Sequence, residues 1–281
     1  MNRPGEVLAH IRAAAPSLLP AERSVAQVLI DRAGGVVELS SQQVADAAGA
    51  SRATVVRTCQ SLGFTGYQQV RMLLAREDAP AASPVADGPA GTVRAAFAHT
   101  ADSMTAMTAL LDDAAIEATV TAILAAETVL VVGNGLSISV ATSVAARLQA
   151  LGLRVVAPID VMSQHISARM LREGDVAIVV SGSGATTPSL RAAELAASVG
   201  AKVVGLTSFS RSPLTDVADV TLVTGMAEIT FRDELTVTSR IPQVILTEGL
   251  VAAVEVALGD TAATQRAANL EVIGEYLRDD A

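Results

Sequence analysis

Tryptophan is absent from this 281-residue chain, and phenylalanine and tyrosine together supply only six residues. Hydrophobic residues nevertheless make up 51%, so we expect cores filled by Val, Ile, Leu and Ala. The only cysteine, Cys59, excludes an internal disulfide, fits a reducing compartment and is expected to be a small buried hydrophobe. No apolar run reaches about 18 residues without a polar or charged break, so we expect no membrane span and no membrane partner. These absences together predict a cytoplasmic protein.

Basic residues are also scarce, since 20 Lys and Arg stand against 29 Asp and Glu, which gives a net charge of −9. Their distribution is uneven. Residues 1–78 hold eight Arg and seven acids, whereas residues 79–281 hold twelve basic and twenty-two acidic residues. Between 51 and 76 no acidic residue accompanies the four arginines, which are Arg52, Arg57, Arg71 and Arg76. Because the field of a charged patch is local, this segment can meet a phosphate backbone, although a solvated helix face gives the same pattern.

A stretch rich in Ala, Pro, Gly and acidic residues, EDAPAASPVADGPAG, divides the chain. It has no periodic apolar pattern, which indicates a linker over 78–91. The segment 1–77 has helical spacing between short breaks. After the linker, TVRAAFAHTADSMTAMTALL predicts a helix with five apolar residues on one side, namely Val93, Phe97, Met104, Met107 and Leu111. We therefore predict one domain at 1–77 and a second at 92–281.

Short β-branched runs begin at residue 128, and they read TVLVVG, RVVAPI, DVAIVVS, AKVVGLTS and DVTLVT. Helical patterns lie between several of them, and two more helices follow the last run. Continuous apolar strands that alternate with helices indicate a parallel sheet covered on both faces. The predicted fold is therefore an α/β doubly wound parallel sheet with its core at about 128–260, preceded by a small all-α domain.

The sharpest local pattern is SSQQVADAAGASRATVVRTCQSLG, at 40–63. Ser40 or Ser41 can cap a first helix, Gly49 allows a turn with positive φ, and Ser51 can cap a second helix. An alanine four residues before the glycine and a valine six residues after it are placed to pack between the helices. This spacing is typical of a helix-turn-helix, whose second helix enters the major groove, although an ordinary helical hairpin also shows it.

The second helix of this pattern carries side chains suited to DNA. Arginine binds guanine or phosphate, glutamine reads adenine, and hydroxyls contact phosphates. The predicted DNA-binding residues are Ser51, Arg52, Ala53, Thr54, Val56, Arg57 and Gln60. Because one small helix-turn-helix buries too little surface for operator affinity, we expect a homodimer or homotetramer on promoter DNA.

Two loops rich in glycine and serine follow strands and precede helices: VVGNGLSIS at 131–139 and VVSGSGATTPS at 179–189. Such loops aim backbone N–H groups and positive helix ends at the crevice beyond the strands, and their hydroxyls add donors for a phosphate monoester. Arg191 is the one positive side chain near them. The predicted ligand-binding residues are Gly135, Ser137, Ser181, Gly182, Ser183, Gly184 and Thr186.

Three other uses of such loops lack a required residue. A dinucleotide site has a third glycine where Ile138 stands, and Asp160 comes later than the usual ribose-binding acid. A P-loop needs a lysine, but the only one is Lys202, and GSGAT does not form the G-x-S-x-G pattern of a nucleophile. We expect no cofactor, no metal and no catalytic residue, while turns made simply of small residues remain an alternative.

Taken together, these segments resemble the RpiR family of bacterial transcriptional regulators. LLPAERSVAQVLID at 18–31 and the segment 39–75 are similar to its opening helix and its helix-turn-helix. The stretch 180–208 is similar to the sugar isomerase (SIS) signature Ser-x-Ser-Gly-x-Thr, matched by Ser181, Ser183, Gly184 and Thr186. The resemblance covers nearly the whole chain apart from 77–91.

The resemblance implies an SIS domain that binds a phosphorylated sugar, with the phosphate held by Ser137, Ser181, Ser183 and Thr186. Related SIS sequences often have an acidic residue two positions after that threonine, where this chain has Pro188. Proton transfer between sugar carbons needs a base and an acid; Glu248 and His165 are the remaining candidates, and His165 fits a polar helix position better. We therefore expect a phosphosugar effector that is sensed. A sugar-phosphate isomerase, or a helical part that contacts protein instead of DNA, remains an alternative.

Overall fold

The computed structural model of the chain describes residues 6–32, 35–77, 88–108, 111–224 and 239–276. The chain forms an N-terminal helical unit and a C-terminal α/β unit, and the division falls between residues 99 and 100. Each unit has its own buried core.

The described part of the predicted helical segment 1–77 contains five α-helices. They are α1 (Glu6–Ala14), α2 (Pro20–Asp31), α3 (Ser41–Ala48), α4 (Arg52–Ser61) and α5 (Tyr67–Glu77). Pro20 stands in the first turn of α2, where a missing N–H costs no intrahelical bond. The core between these helices is aliphatic except for Phe64 and Tyr67, and Cys59 lies in it with no exposed surface. The expected small buried cysteine is confirmed.

Helix α6 runs from Gly88 to Met107, four residues earlier at its start than the predicted linker allowed. Pro89 lies in its first turn, where proline is compatible with a helix, so residues 88–91 belong to α6 and not to the linker. Val93, Phe97 and Met104 are exposed along the helix. Leu111 lies beyond its end, and residues 78–87 lie outside the described part of the chain.

Among the described residues, the α/β unit has five strands, one in each predicted β-branched run. They are β1 (Val129–Gly133), β2 (Val155–Val156), β3 (Val176–Val180), β4 (Lys202–Thr207) and β5 (Val220–Val223). The sheet order is β2-β1-β3-β4-β5, and every neighbouring pair is parallel. In register, Val131 pairs with Ile178, which in turn pairs with Val204. The predicted parallel, doubly wound sheet is confirmed.

Helices cover both faces of this sheet, which explains why the strands are apolar without alternation. The helices are α7 (Asp113–Ala125), α8 (Ile138–Ala150), α9 (Val161–Met170), α10 (Thr187–Ala197), α11 (Ile241–Leu258) and α12 (Asp260–Tyr276). Alternate residues of a strand enter opposite cores. Val129 and Val131 pack with α8 and α11, whereas Leu130 and Val132 pack with α9 and α10.

Helix α11 is, among the described residues, the one helix long and apolar enough to cross a membrane by length and composition. Its inner side packs into the sheet core through Leu246, Leu250, Val251 and Val254. A core helix passes the same test of length and composition.

Candidate functional site

The helix-turn-helix geometry in the N-terminal unit follows from its caps and its glycine. Ser40, not Ser41, caps α3: its Oγ accepts from the Gln43 N–H at 3.2 Å, and the Gln43 side chain accepts from the Ser40 N–H at 2.8 Å. Gly49 ends α3 with φ of +63°, a conformation that favours glycine. Ser51 then caps α4 by accepting from the Thr54 N–H at 3.1 Å. These contacts hold two short helices at a tight turn.

Six of the seven predicted DNA-binding residues lie on the exposed side of α4 or at its cap. They are Ser51, Arg52, Ala53, Val56, Arg57 and Gln60. Thr54 differs, because only 8% of it is exposed and its hydroxyl contacts Ser51 Oγ at 2.9 Å and an Arg57 nitrogen at 3.3 Å. We therefore assign Thr54 to the packing of the helix start. It holds the Arg57 guanidinium in place next to the cap.

The acid-free segment does not present all of its arginines to solvent. Arg71 is 6% exposed, and burial lowers the pKa of its guanidinium to about 10. Its neighbour Tyr67 donates its hydroxyl to the carbonyls of Val36 at 2.9 Å and Leu39 at 2.8 Å, and burial raises the Tyr67 pKa. The basic surface of α4 therefore comes from Arg52 and Arg57, while Arg71 lies in the interior of the unit.

The two predicted phosphate loops come together at the carboxyl ends of neighbouring strands. The first follows β1 and leads into α8; the second follows β3 and leads into α10. The Gly182 N–H points to Ser137 Oγ at 3.4 Å, which joins residues 45 positions apart. Ser181 Oγ lies 3.4 Å from Thr186 Oγ1, and Ser183 Oγ accepts from the Ala185 N–H at 3.3 Å. The four predicted hydroxyls thus lie on two loops that are joined by the hydrogen bond from the Gly182 N–H to Ser137 Oγ.

Glycine is required in the second loop for two separate reasons. Gly184 has φ of +59°, and an added Cβ would lie 2.1 Å from Ser212 Oγ and 2.9 Å from Thr207 Oγ1. Gly135 in the first loop has φ of +58°, but nothing lies within 4 Å of its Cβ position. Gly184 is therefore needed both for its backbone conformation and for close packing, whereas Gly135 is needed for its backbone conformation alone.

Polar residues that the sequence reading did not select hold these loops. Asn134 donates to Gln164 Oε1 at 3.0 Å and to Ser189 Oγ at 2.9 Å, so it links α9 to α10. The Gly182 carbonyl accepts from Thr207 Oγ1 at 3.0 Å and from the Ser208 N–H at 2.9 Å. The Thr-Ser pair that ends AKVVGLTS could have been predicted to lie near the second loop. It follows the run after β3, and the carboxyl ends of parallel strands lie at the same edge of the sheet. Nothing in the sequence marked Gln164.

The residues considered for acid–base chemistry, for ribose binding and as a positive charge near the loops are engaged in other contacts. His165 Nε2 lies 2.9 Å from the Pro188 carbonyl, and Glu248 forms an ion pair with Arg147. Asp160 caps α9 by accepting from the Ser163 N–H at 2.8 Å, and hydrogen bonds from Ser163 hold the pKa of its carboxyl below the ordinary value. Arg191 pairs with Glu194 at 3.1 Å. Within the described ranges, no group of three or more His, Cys, Asp or Glu could hold a metal ion.

A helix-turn-helix followed by an α/β domain with serine- and glycine-rich loops at its strand ends is typical of the class of ligand-responsive DNA-binding proteins. Two family models match the chain in that order: the helix-turn-helix domain of the rpiR family over residues 5–81, and the SIS domain over residues 122–253. The HTH-type transcriptional regulator HexR of Pseudomonas aeruginosa is 32% identical over 259 residues, which cover 90% of each chain. The chain belongs to the RpiR family of helix-turn-helix transcriptional regulators.

Solved structures agree with this assignment over both units. The Vibrio vulnificus NanR protein, solved in complex with ManNAc-6P, matches with a TM-score of 0.77 and 26% identity, over 98% of this chain and 100% of that one. The sugar isomerase domain of an RpiR transcription factor from Sphaerobacter thermophilus matches with a TM-score of 0.54 and 25% identity, over 65% of this chain and 98% of that one. The expectation of a regulator rather than an isomerase agrees with these relatives.

Proposed function

We propose that this regulator binds promoter DNA through α4 and senses a phosphorylated sugar, or a related anion, at the paired loops of its SIS domain. One observation carries the proposal: the Gly182 N–H reaches Ser137 Oγ, which joins the two serine-rich loops at neighbouring strand ends. The NanR structure with ManNAc-6P supports the choice of ligand class, because that protein matches nearly the whole chain.

The cluster suits a phosphate dianion although its donors are neutral. Ser137 and Ser183 each accept a backbone N–H, so their own protons are available for phosphoryl oxygens. Helices α8 and α10 begin directly after the loops, and the positive ends of both helices favour an anion there. Gly182 has no Cβ to keep the ligand from the backbone, whereas the Cβ position of Gly184 lies against Ser212 and Thr207. In this proposal the phosphate is held by Gly135, Ser137, Ser181, Gly182, Ser183, Gly184 and Thr186.

Ligand binding changes DNA affinity only if the effector binds the DNA-competent and incompetent states unequally. Asn134 offers a route for such a difference within the α/β unit, because it ties the first loop to Gln164 in α9 and Ser189 in α10. A shift of the loop around a phosphate therefore moves two helices together. The regulator acts in the cytoplasm, as a homodimer or homotetramer, with promoter DNA as its macromolecular partner.

The effector half of the proposal is tested by thermal shift and calorimetry. We expect ManNAc-6P or glucose 6-phosphate to raise the melting temperature by mass action, while free glucose does not. Ser183→Ala should weaken binding about tenfold or more, because one charge-assisted hydrogen bond is lost. Ser143→Ala, on the exposed side of α8, is the matched control. Unchanged affinity in Ser183→Ala would remove this loop from the site.

The DNA half is tested with a duplex selected from a random library and measured at several salt concentrations. Arg52→Ala and Arg57→Ala should each cost about 1–3 kcal/mol of binding if they read bases, or lower the salt slope by about one if they contact phosphate. Arg12→Ala, an exposed arginine on α1, removes the same charge and should have little effect. If all three variants bind like the parent, α4 is not the reading helix; a chain without salt-dependent DNA affinity would indicate a protein partner.

A further inference from the structure

The segment that follows β4 is held against the second of the two predicted phosphate loops at both of its ends. At its start, the Ser208 N–H donates to the Gly182 carbonyl at 2.9 Å. Further along, the Leu214 N–H donates to the Gly184 carbonyl, also at 2.9 Å. The two acceptors stand on either side of one serine of the loop. The residues between these anchors, among them 209–211, therefore stay beside the phosphate loop.

Arg211 is the charged residue of this segment, and the backbone next to it is fixed. The Ser212 N–H donates to Thr215 Oγ1 at 2.9 Å, and the same hydroxyl donates to the Ser212 carbonyl at 2.7 Å. The Ser212 side chain is buried against Gly184. Arg211 itself is exposed. A long side chain on a fixed and exposed position beside the loop can reach an anion that is bound there.

Two other arginines, on the helices that follow the phosphate loops, are already engaged by carboxylates. Arg191 on α10 pairs with Glu194 at 3.1 Å, and Arg147 on α8 pairs with Glu248. Arg211, in contrast, forms no ion pair and no side-chain hydrogen bond with the residues that the structure describes. The sequence also has no acidic residue from 195 to 215. The guanidinium of Arg211 is therefore the cation beside the second loop that is available to an anionic ligand.

We propose that Arg211 is a specificity-determining residue of the effector site, whose guanidinium contacts the phosphoryl oxygens and balances their charge. The loops themselves offer hydroxyls and backbone N–H groups, which are neutral donors. A phosphate monoester has a second pKa of about 6 and becomes a dianion above it, whereas a sulfate ester carries one negative charge. A cation gains more from the second charge than neutral donors do. This inference rests on the proposed function and adds to it the selection of phosphate esters over sulfate esters.

The test is calorimetry of the full chain at about pH 8, where the phosphate ester is a dianion. The ligands are the 6-phosphates and the 6-sulfates of glucose and of ManNAc. We expect the parent to bind a 6-phosphate more tightly than the 6-sulfate of the same sugar. Arg211→Gln should weaken 6-phosphate binding about tenfold or more, and 6-sulfate binding less, because a charge-assisted hydrogen bond to the dianion is lost. Arg211→Lys keeps the charge without the planar fork and should retain part of the preference.

Arg172→Gln is the matched control for the loss of one positive charge. Arg172 is exposed and precedes β3, so it lies at the edge of the sheet opposite to the phosphate loops. This variant should bind both esters like the parent. Thermal unfolding without ligand checks the fold, and Arg211→Gln should melt at the parent temperature because the side chain is exposed.

Three results would overturn the role of Arg211 and leave the proposed site intact. Arg211→Gln binds a 6-phosphate as tightly as the parent does, it loses the same factor for both esters, or Arg172→Gln loses as much as Arg211→Gln. An equal loss for both esters together with a lower melting temperature would show that Arg211 supports the fold instead of reading charge. A parent chain that binds neither 6-phosphate would contradict the effector half of the proposed function, and the role of Arg211 with it.

Discussion

At the scale of single residues, two glycines of the SIS domain have similar backbone conformations but different surroundings. Gly184 and Gly135 have the same positive φ, yet only Gly184 lies against other side chains, those of Ser212 and Thr207. Substitutions at these two glycines therefore separate the free-energy cost of the left-handed conformation from the cost of the steric contact with Ser212 and Thr207.

We expect Gly184→Ala to lower the free energy of unfolding of the α/β unit by about 2–5 kcal/mol, since a left-handed conformation and overpacking both oppose it. Gly135→Ala should cost about 1–2 kcal/mol from the conformation alone. Urea unfolding followed by circular dichroism measures both. Equal losses would mean that Ser212 moves aside without cost.

Among the helices, the caps are the local contacts that decide where each one begins. Ser40 and Ser41 are adjacent and chemically identical, but only Ser40 makes the reciprocal bonds with Gln43. Asp160 plays the same part for α9 with an ionised side chain. The contribution of Asp160 must therefore depend on pH, while that of Ser40 must not.

Ser40→Ala should destabilise the N-terminal unit by about 1 kcal/mol, because an orphan N–H loses its acceptor. Ser41→Ala should change the stability of the same unit by only about 0.3 kcal/mol, since alanine is a good helix former at this position. Thermal unfolding of the two variants beside the parent measures the difference. A larger loss in Ser41→Ala would reassign the cap.

For Asp160, the lowered carboxyl pKa means that the stabilisation is fully present at neutral pH. It is lost as the pH falls from the ordinary aspartate value, about 4, through the lower folded value. Asn caps helices without titrating, so Asp160→Asn should remove this acid-sensitive part of α/β-unit stability. The comparison is made by urea unfolding across that acid range. Parallel pH profiles for parent and variant would contradict it.

At the scale of the whole molecule, regulation requires that ligand binding to one unit change the conformation or stability of the other. Cys59 offers a reporter for this, because it is the only cysteine, is buried in the N-terminal unit, and burial raises the pKa of its thiol to about 12. A thiol reagent therefore reaches it only when that unit opens.

We expect promoter DNA to slow the labelling of Cys59, because DNA binds the folded N-terminal unit. A sugar phosphate should also change the labelling rate if the units are coupled, and Ser183→Ala should abolish that change while keeping the response to DNA. Labelling is followed spectroscopically with an aromatic disulfide reagent. Rates that ignore a bound effector would show that the two units work independently.

How far the sequence predicted this protein depends on how local each feature is. The strands, the order of helices and the resemblance to the RpiR family were all readable. The burial of Thr54 and of Arg71 was not, because both depend on packing against other helices. The linker was drawn four residues too long, because Pro89 was counted as a breaker although it fits a first helical turn.

Sequence alone determined the features that need only neighbours within a turn or two. Among these are the caps of α3 and α4, the left-handed Gly49 and the continuously apolar strands. Only the tertiary structure decided that Ser137 meets Gly182 and that Asn134 and Gln164 hold the loops. These depend on a strand order that brings distant segments to one edge, and no local pattern encodes that order.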